Sequence, residues 1–212
     1  MNLLYNSYMG KQQTNRRSQT ERTRASKEKI IQAASKFFAQ EGYRGATLAD
    51  IAKAANLSEP GLLHHFPSKT HLLMAVLSER DRVDRERFDP TKDGEVGDIL
   101  SSYKKLVAYN QTVPGFVKLF TTLVAESIYE QHPGHDFFIH RYQETRKQAI
   151  VAVKQGQAEG VIRSDIPAED LIIMMYAMMD GLQIQWLLEP ETIDMTRIFS
   201  QFVQLFKNQK NE

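Results

Sequence analysis

From residue 21 almost to the end of the chain, apolar residues recur at spacings of three and four, which is the period of an amphipathic helix. The alternating, β-branched runs that are typical of strands do not occur in the sequence. Residues 1–20 are polar, rich in Asn, Gln, Ser and Thr, and show neither period. The pattern therefore predicts an all-α protein of about nine helices, preceded by a flexible N-terminal arm.

Two short helices joined by a tight turn are predicted near the N-terminus. The first long helix ends at Gly42, since glycine is the usual residue at a helix C-terminus. The next helix begins after Thr47, whose hydroxyl can cap it while Asp50 reaches back as in a capping box. Asn56 tolerates the left-handed backbone that a tight turn needs, and Ser58 caps the third helix.

Proline and glycine separate a series of further helices. Ser68 caps a fourth helix that leads out of the N-terminal unit, and the sequence shows no internal repeat. The chain is therefore predicted to form two domains divided near Thr70, one over residues 21–70 and one over residues 71–212. The later helices are predicted at about residues 96–111, 115–131, 136–159, 168–188 and 193–207.

Charge is distributed unevenly between the two predicted domains, although the whole chain carries only +1. Residues 1–70 hold 11 Lys and Arg against 5 Asp and Glu, a net charge of +6, whereas residues 71–212 hold 16 against 21, a net charge of −5. A basic N-terminal third is typical of a protein that binds a polyanion such as nucleic acid. On charge alone, a solvated basic tail without a partner is an equal alternative.

Cysteine content and hydropathy exclude several classes of protein. The sequence has no cysteine, which excludes disulfides, thiolate metal sites and cysteine nucleophiles. The longest apolar run, residues 171–179, lies between Asp170 and Asp180 and is much shorter than the roughly 20 residues that span a bilayer. The first ten residues lack the basic start and apolar block of an export signal. We therefore expect a cytoplasmic protein with no membrane partner.

Several spaced motifs lie within residues 22–77. They include the Gly42-Tyr43 helix stop and the stretches TLADIAKAANLS at residues 47–58 and LLHHFPSK at residues 62–69. Together they resemble the DNA-binding domain of the TetR/AcrR family of bacterial transcription regulators. The remaining helices are similar to the family's C-terminal half. The resemblance implies an N-terminal three-helix helix-turn-helix domain followed by a C-terminal helical ligand-binding and dimerisation domain.

The resemblance also implies a function. It points to a sequence-specific DNA-binding regulator, a repressor that a small, largely apolar effector releases from a palindromic operator. One helix-turn-helix reads only a few base pairs, so we expect a homodimer whose two copies lie about 34 to 36 Å apart on double-stranded DNA. No enzyme activity, cofactor or metal is implied.

In helix-turn-helix proteins the N-terminal end of the second helix of the motif enters the major groove. By resemblance residues 58–64 form that end, and Glu59 can accept a hydrogen bond from a cytosine amino group. Helix N-termini and basic side chains are expected to contact phosphates. Packing is the alternative for His65, and Arg22 and Arg24 can instead enter the minor groove or stay solvated. The predicted DNA-binding residues are Arg22, Arg24, Thr47, Ser58, Glu59, Pro60, Gly61, His64, His65 and Lys69.

Three positions depart from the family pattern. Asn56 stands where the family usually has Gly, which the turn tolerates. Leu63 stands where a Tyr commonly donates its hydroxyl to a DNA phosphate, so that contact is absent or replaced. Thr70 stands where a Glu often follows the Lys, which weakens the cap of the fourth helix.

The C-terminal domain is expected to supply a dimer interface and an effector site. Apolar residues repeat along the last two helices and would form a four-helix interface across a two-fold axis, unless they only fill the core of one chain. The predicted interface residues are Met178, Leu182, Met195, Phe199, Phe202 and Phe206. Apolar residues of the middle helices are expected to line the effector site, although such residues more often form ordinary core. They are Tyr103, Val107, Phe120, Leu123, Val124, Tyr142, Met175 and Trp186.

Two other functions are left open. His132, His135, Asp136 and His140 lie within nine residues, and three histidines with a carboxylate can hold zinc, as a metal-binding helical enzyme would require. No nucleophile or general-base pair accompanies them. The other alternative is a helical adaptor that does not bind DNA, which only the departure at Leu63 supports. Retardation of DNA in a gel distinguishes that adaptor from a regulator.

Overall fold

The computed structural model describes residues 19–88 and 99–208. Within them the backbone forms nine α-helices and no strand apart from an isolated bridge between Ile162 and Lys207, so the predicted all-α fold is confirmed. The predicted N-terminal arm lies almost entirely outside the described residues. The helices are α1 (Gln19–Gly45), α2 (Leu48–Ala54), α3 (Glu59–His65), α4 (Lys69–Phe88), α5 (Ile99–Thr112), α6 (Pro114–Glu126), α7 (His135–Ala158), α8 (Ala168–Leu188) and α9 (Met195–Gln204).

The ends of α1 and α2 are set by local interactions. Gly42 has φ +69° and ψ 178°, so the regular helix breaks there as predicted, before one further turn. Thr47 caps α2 by accepting a hydrogen bond from the Asp50 amide at 3.1 Å. The Asp50 carboxylate in turn accepts a hydrogen bond from the Thr47 hydroxyl, with 2.5 Å between the two oxygen atoms. This bond between two side chains takes the place of the predicted reciprocal bond to the backbone.

The turn between α2 and α3 also follows from local chemistry. Asn56 adopts a left-handed conformation with φ 60°, and the Leu57 amide donates to the Ala52 carbonyl at 2.9 Å. Ser58 then caps α3 by accepting from the Gly61 amide at 3.2 Å. The backbone of the predicted helix-turn-helix is therefore present.

α6 departs most from its predicted bounds, because it ends at Glu126 and not near residue 131. The Ser127 amide donates to two preceding carbonyls, at Leu123 and Val124, which closes the last helical turn. A series of turns over residues 127–134 then leads into α7. Glu126, the last residue of α6, lies next to α1, where its carboxylate accepts a hydrogen bond from the Tyr43 amide.

Buried hydrophobic residues form two clusters. The first joins α1, α2, α3 and α4, and extends onto α6 through Leu119, Phe120 and Leu123. The second joins α5, α7, α8 and α9. α6 therefore packs much of its apolar face on the N-terminal helices and connects them to the remainder of the chain.

Among the described residues, α8 is the one helix with the length and hydropathy of a membrane-spanning segment. Leu171, Ile172 and Met175 on one of its sides are buried in the second cluster. Core helices of globular domains meet the same criterion, so the length and hydropathy of α8 are weak evidence for a membrane span.

Candidate nucleic-acid interface and effector domain

α3 presents a small polar surface at its N-terminal end. Leu62 is completely buried and Phe66 is nearly so, and these two side chains fix α3 on the first cluster. The predicted DNA-binding residues of this segment face outward from that anchor. Ser58, Glu59, Pro60 and His64 are exposed, and Gly61 and His65 are half-buried.

The two histidines at the end of α3 differ in environment. Their rings pack edge to face with centroids 5.5 Å apart. Partial burial lowers the pKa of His65, and the nearby charges of His64 and Lys27 lower it further. His65 is therefore mainly neutral at pH 7 and has a packing partner, which favours the packing alternative for His65 over base reading.

The predicted phosphate contacts lie on different elements. Thr47 is exposed at the N-terminus of α2, where the backbone amides of a helix attract anions. Arg22 and Arg24 are exposed on α1, and the Arg24 Nε donates to Glu28 at 2.9 Å. An exposed pair of this kind contributes little to stability, so the Arg24 guanidinium can exchange its partner for a phosphate.

Lys69 is partly engaged within the chain. Its Nζ donates to the Arg44 carbonyl at 3.2 Å and lies 4.8 Å from the centroid of the Tyr43 ring. Partial burial lowers the pKa of Lys69, and the nearby charge of Glu126 opposes this shift. The ammonium group is thus held at the start of α4, close to the N-terminal end of the helix-turn-helix unit.

The predicted effector residues do not form one group. Phe120 and Leu123 are buried in the first cluster, and Val124 packs against it, because α6 turns this face toward α1. Val107, Met175 and Trp186 are buried in the second cluster, with Tyr103 and Tyr142 packed against it. The structure therefore separates the three residues of α6 from the other five.

A polar cluster lies where α5, α7 and α8 meet. The Tyr103 hydroxyl donates to the Tyr176 hydroxyl at 3.0 Å, and the Tyr142 hydroxyl donates to Asp180 Oδ2 at 2.7 Å. The ring centroid of Tyr176 lies 5.9 Å from that of Tyr103 and 6.1 Å from that of Tyr142. Burial raises the pKa of Tyr103 and of Asp180.

Burial raises the pKa of Asp180, while the hydrogen bond from Tyr142 and the nearby positive charge of Arg141 both oppose that shift. Sequence reasoning missed Asp180 and Tyr176, although their spacing of four residues puts both on one face of α8. We name Tyr103, Tyr142, Tyr176 and Asp180 the tyrosine–aspartate cluster.

Comparison with known families gives two matches. Residues 30–76 match the model described as "Bacterial regulatory proteins, tetR family", and residues 103–205 match "BetI-type transcriptional repressor, C-terminal". Together these regions cover well over half of the chain. The chain belongs to the TetR family. It is accordingly a helix-turn-helix transcription regulator, and the family places its function in regulation of transcription rather than in catalysis.

Individual relatives agree with this assignment. The HTH-type transcriptional regulator TtgR of Pseudomonas putida is 26% identical over 193 residues, covering 84% of this chain and 87% of that protein. A transcriptional regulator of Saccharomonospora viridis in complex with choline has a TM-score of 0.74 at 22% identity, over 87% of this chain and 98% of that one. The SmeT–triclosan complex has a TM-score of 0.73 at 16% identity, over 88% and 93%. At these identities the two structures show a shared fold.

In this TetR-family chain, the predicted interface residues are mostly core. Met195 and Phe199 are fully buried, and Leu182 and Phe206 are almost fully buried, within the single chain. A side chain without exposed surface offers no surface to a second chain, so we assign these four to the core. Met178 and Phe202 are half-buried at its edge.

A different face of α8 is apolar and exposed. Sequence reasoning noted that α8 is apolar around much of its circumference, but it could not tell the inner side from the outer. We name the exposed side the outer face of α8. It consists of Ile173, Met174, Ala177, Ile184 and Leu188.

The histidines near α7 serve the turn between α6 and α7. His132 Nδ1 accepts from the Gly134 amide at 3.1 Å, and His135 Nδ1 lies 2.8 Å from the Ser127 carbonyl oxygen. Asp136 and His140 are exposed on α7. Within the described ranges, no group of three or more His, Asp or Glu side chains is placed to hold a metal ion. The geometry therefore does not support the zinc alternative.

Proposed function

We propose that this TetR-family regulator is a repressor that binds a palindromic operator as a homodimer and is released by a small effector. The observation that supports it most is the exposed polar end of α3, residues 58–64, which Leu62 anchors on a buried core. We infer that residues 21–70 form the DNA-binding domain and residues 71–212 the effector and dimerisation domain. A DNA partner is consistent with a cytoplasmic protein.

Selection of bound fragments from random double-stranded DNA tests this function. We expect the bound fragments to share two inverted half-sites whose centres lie about one helical turn of DNA, or a multiple of it, apart. Fragments that share a single site or no motif would contradict recognition by a symmetric dimer.

In this proposal the DNA contacts divide into two kinds. Glu59, Pro60, Gly61 and His64 face base edges from the N-terminal end of α3. The α2 N-terminus, with Lys69 and the basic start of α1, holds phosphates and sets the register without reading sequence.

Replacing Lys69 with Ala should weaken binding to every DNA sequence by a similar factor, because a phosphate contact carries no base information. The slope of log K against log salt should become shallower by about 1. Fluorescence anisotropy over a salt series, on the selected operator and on unrelated DNA, measures both. Lys147→Ala, an exposed lysine of α7, is the control. A loss confined to the operator would contradict a phosphate role.

The outer face of α8 supports the proposed dimer. A single copy leaves large apolar side chains exposed along the whole helix, including Leu188 at 77% and Ile173 at 52%. Contiguous exposed apolar surface of this kind marks interaction sites, and a two-fold axis lets one helix pack on its own copy. We infer that a second copy of this chain covers the outer face.

The effector proposal rests on the tyrosine–aspartate cluster. Among the structural neighbours, one is in complex with choline, a small organic cation, and another with triclosan, a small and largely apolar molecule. In this chain, the Tyr142 hydroxyl donates to the half-buried Asp180 carboxylate, and the Tyr142 and Tyr103 rings both pack against Tyr176. Aromatic faces and a buried carboxylate both attract cations. We therefore propose that the effector is a small organic cation that binds between α5, α7 and α8.

Replacing Asp180 with Asn should abolish the protein's preference for a positively charged ligand over an uncharged one. We expect choline to raise the unfolding temperature of the wild-type protein more than 3,3-dimethylbutan-1-ol, an uncharged molecule of the same shape. The Asp180→Asn protein should respond to both alike, whereas the exposed Asp170→Asn control on α8 should keep the preference. Differential scanning fluorimetry measures the shifts. Equal responses of the wild-type protein would contradict a cationic effector.

Release from DNA requires an effector with different affinities for two states of the dimer. The Tyr103–Tyr176 hydroxyl bond holds α5 against α8 in this structure. A ligand that enters the cluster has to separate these groups, so it favours a state in which α5 and α8 lie differently. α6 and α4 adjoin both domains and would carry that change to the two copies of α3.

A further inference from the structure

Beside the apolar contacts between α1 and α6, a carboxylate at the end of α6 bonds to the bend of α1. Glu126 Oε2 accepts a hydrogen bond from the Tyr43 amide at 2.8 Å. A Cβ atom at Gly42 would lie 2.5 Å from Glu126 Oε1, which is closer than real Cβ contacts. A methyl group at position 42 would therefore displace this carboxylate from its place at the bend.

His132 supports this carboxylate from the turn between α6 and α7. Because a backbone amide can only donate, the bond from Gly134 makes His132 Nδ1 an acceptor and places the proton of the neutral ring on Nε2. Nε2 faces Glu126 Oε2 at 3.6 Å and has no hydrogen-bond partner, although its side chain is only 5% exposed. The His132 ring also packs edge-on against Tyr43, with centroids 5.1 Å apart.

The same tyrosine continues the connection to the start of α4. Its hydroxyl lies 3.0 Å from Thr70 Oγ1, and its ring packs under the Lys69 ammonium. α4 begins directly after the turn that follows α3. A continuous set of contacts therefore runs from the end of α6 through the α1 bend to the base of the helix-turn-helix.

We propose that Glu126 is a positioning residue for DNA binding: its carboxylate, backed by His132, fixes the α1 bend to α6 and thereby sets the orientation of α3. This inference rests on the proposed operator binding. Without the carboxylate, the DNA-binding helices sample more orientations and DNA has to order them, so affinity falls. Glu126 acts through Tyr43 and not by touching DNA.

Two substitutions of Glu126, a control substitution of Glu130 and two measurements test the proposal in the full-length protein. Glu126→Ala should lower operator affinity about tenfold, the effect of losing one charge-assisted hydrogen bond. The Tyr43 amide should also exchange its hydrogen with solvent at least about tenfold faster, as measured by NMR. Glu126→Gln keeps an acceptor for the amide and should stay within about threefold of wild type in both. Glu130→Ala, an exposed carboxylate four residues later, should change neither.

A variant of His132 shows whether this residue acts through Glu126 or independently of it. If it acts through Glu126, the double variant Glu126→Ala/His132→Ala should bind operator no more weakly than the more affected single variant. Additive losses, or unchanged Tyr43 exchange in Glu126→Ala, would overturn the proposal. The proposal would also be overturned if Glu126→Gln lost as much operator affinity as Glu126→Ala and exchanged the Tyr43 amide as fast. If the wild-type protein binds no DNA, the proposed function fails, while Tyr43 exchange still decides whether Glu126 fixes the bend.

Discussion

An Ile184→Asp variant should be monomeric and should bind operator at least about a hundredfold more weakly than the wild-type protein. Ile184 lies on the outer face of α8 and is 47% exposed in the single chain. A dimer that buries this face would bury two carboxylates close to each other across the two-fold axis, and unpaired buried charges are costly. A monomer reads only one half-site, so its affinity for the palindrome falls steeply.

Analytical ultracentrifugation and operator anisotropy measure the two parts of this prediction. Ile128→Asp is the matched control, since Ile128 is 73% exposed in the turn after α6 and is not part of the outer face of α8. The control should remain dimeric. A dimeric Ile184→Asp protein with wild-type affinity would show that the copies associate through another surface.

Replacing Gly42 with Ala should destabilise the protein by about 2 to 3 kcal/mol and lower its unfolding temperature by about 5 to 10 °C. Two causes act together. The backbone at φ +69° and ψ 178° is a conformation that side chains other than glycine avoid, and the added methyl group would collide with the Glu126 carboxylate. Thermal unfolding followed by circular dichroism gives the stability, and operator anisotropy should show weaker binding as well.

Gly160 provides a control for a positive φ at a site without a neighbouring carboxylate. Its φ of +71° is similar, but no atom lies within 4 Å of a Cβ placed there. Gly160→Ala should therefore show backbone strain alone, about 1 to 2 kcal/mol, and leave operator binding unchanged. If both alanine variants lose the same stability and both bind operator normally, Glu126 does not restrict the bend.

The sequence predicted the helices and the turn of the helix-turn-helix unit well because the features that determine them are local. Thr47, Asn56 and Ser58 act on amides within a few residues of themselves, so their effect can be inferred from residue type and spacing. The end of α1 at Gly42 is equally local. The family motifs depend on these same positions, so the residue pattern and the family resemblance predicted the same helices.

The interior of the second domain could not be inferred in the same way. Phe199 and Ile184 are both apolar residues on amphipathic helices, yet one fills the core and the other is exposed. Periodicity identifies an apolar face but not what covers it. Sequence reasoning therefore named residues for the interface that are mostly buried within the single chain, and it did not identify the exposed outer face of α8.

Contacts between residues that are far apart in the sequence also could not be predicted from it. Glu126 and Tyr43 are separated by 83 positions, and neither residue alone suggests a partner. His132 was considered as a zinc ligand because histidines cluster near it. In the structure its ring instead packs against Tyr43 behind the Glu126 carboxylate.

The most direct test of the DNA-binding role is equilibrium binding of the full-length protein to pooled random duplexes between about 50 and 200 mM salt. A basic surface that holds phosphates predicts measurable association throughout and a steep, linear decrease of log K with log salt. Failure to associate at the lowest salt, or association that salt does not change, would contradict the assignment of residues 58–64 as the part of the chain that enters the DNA groove.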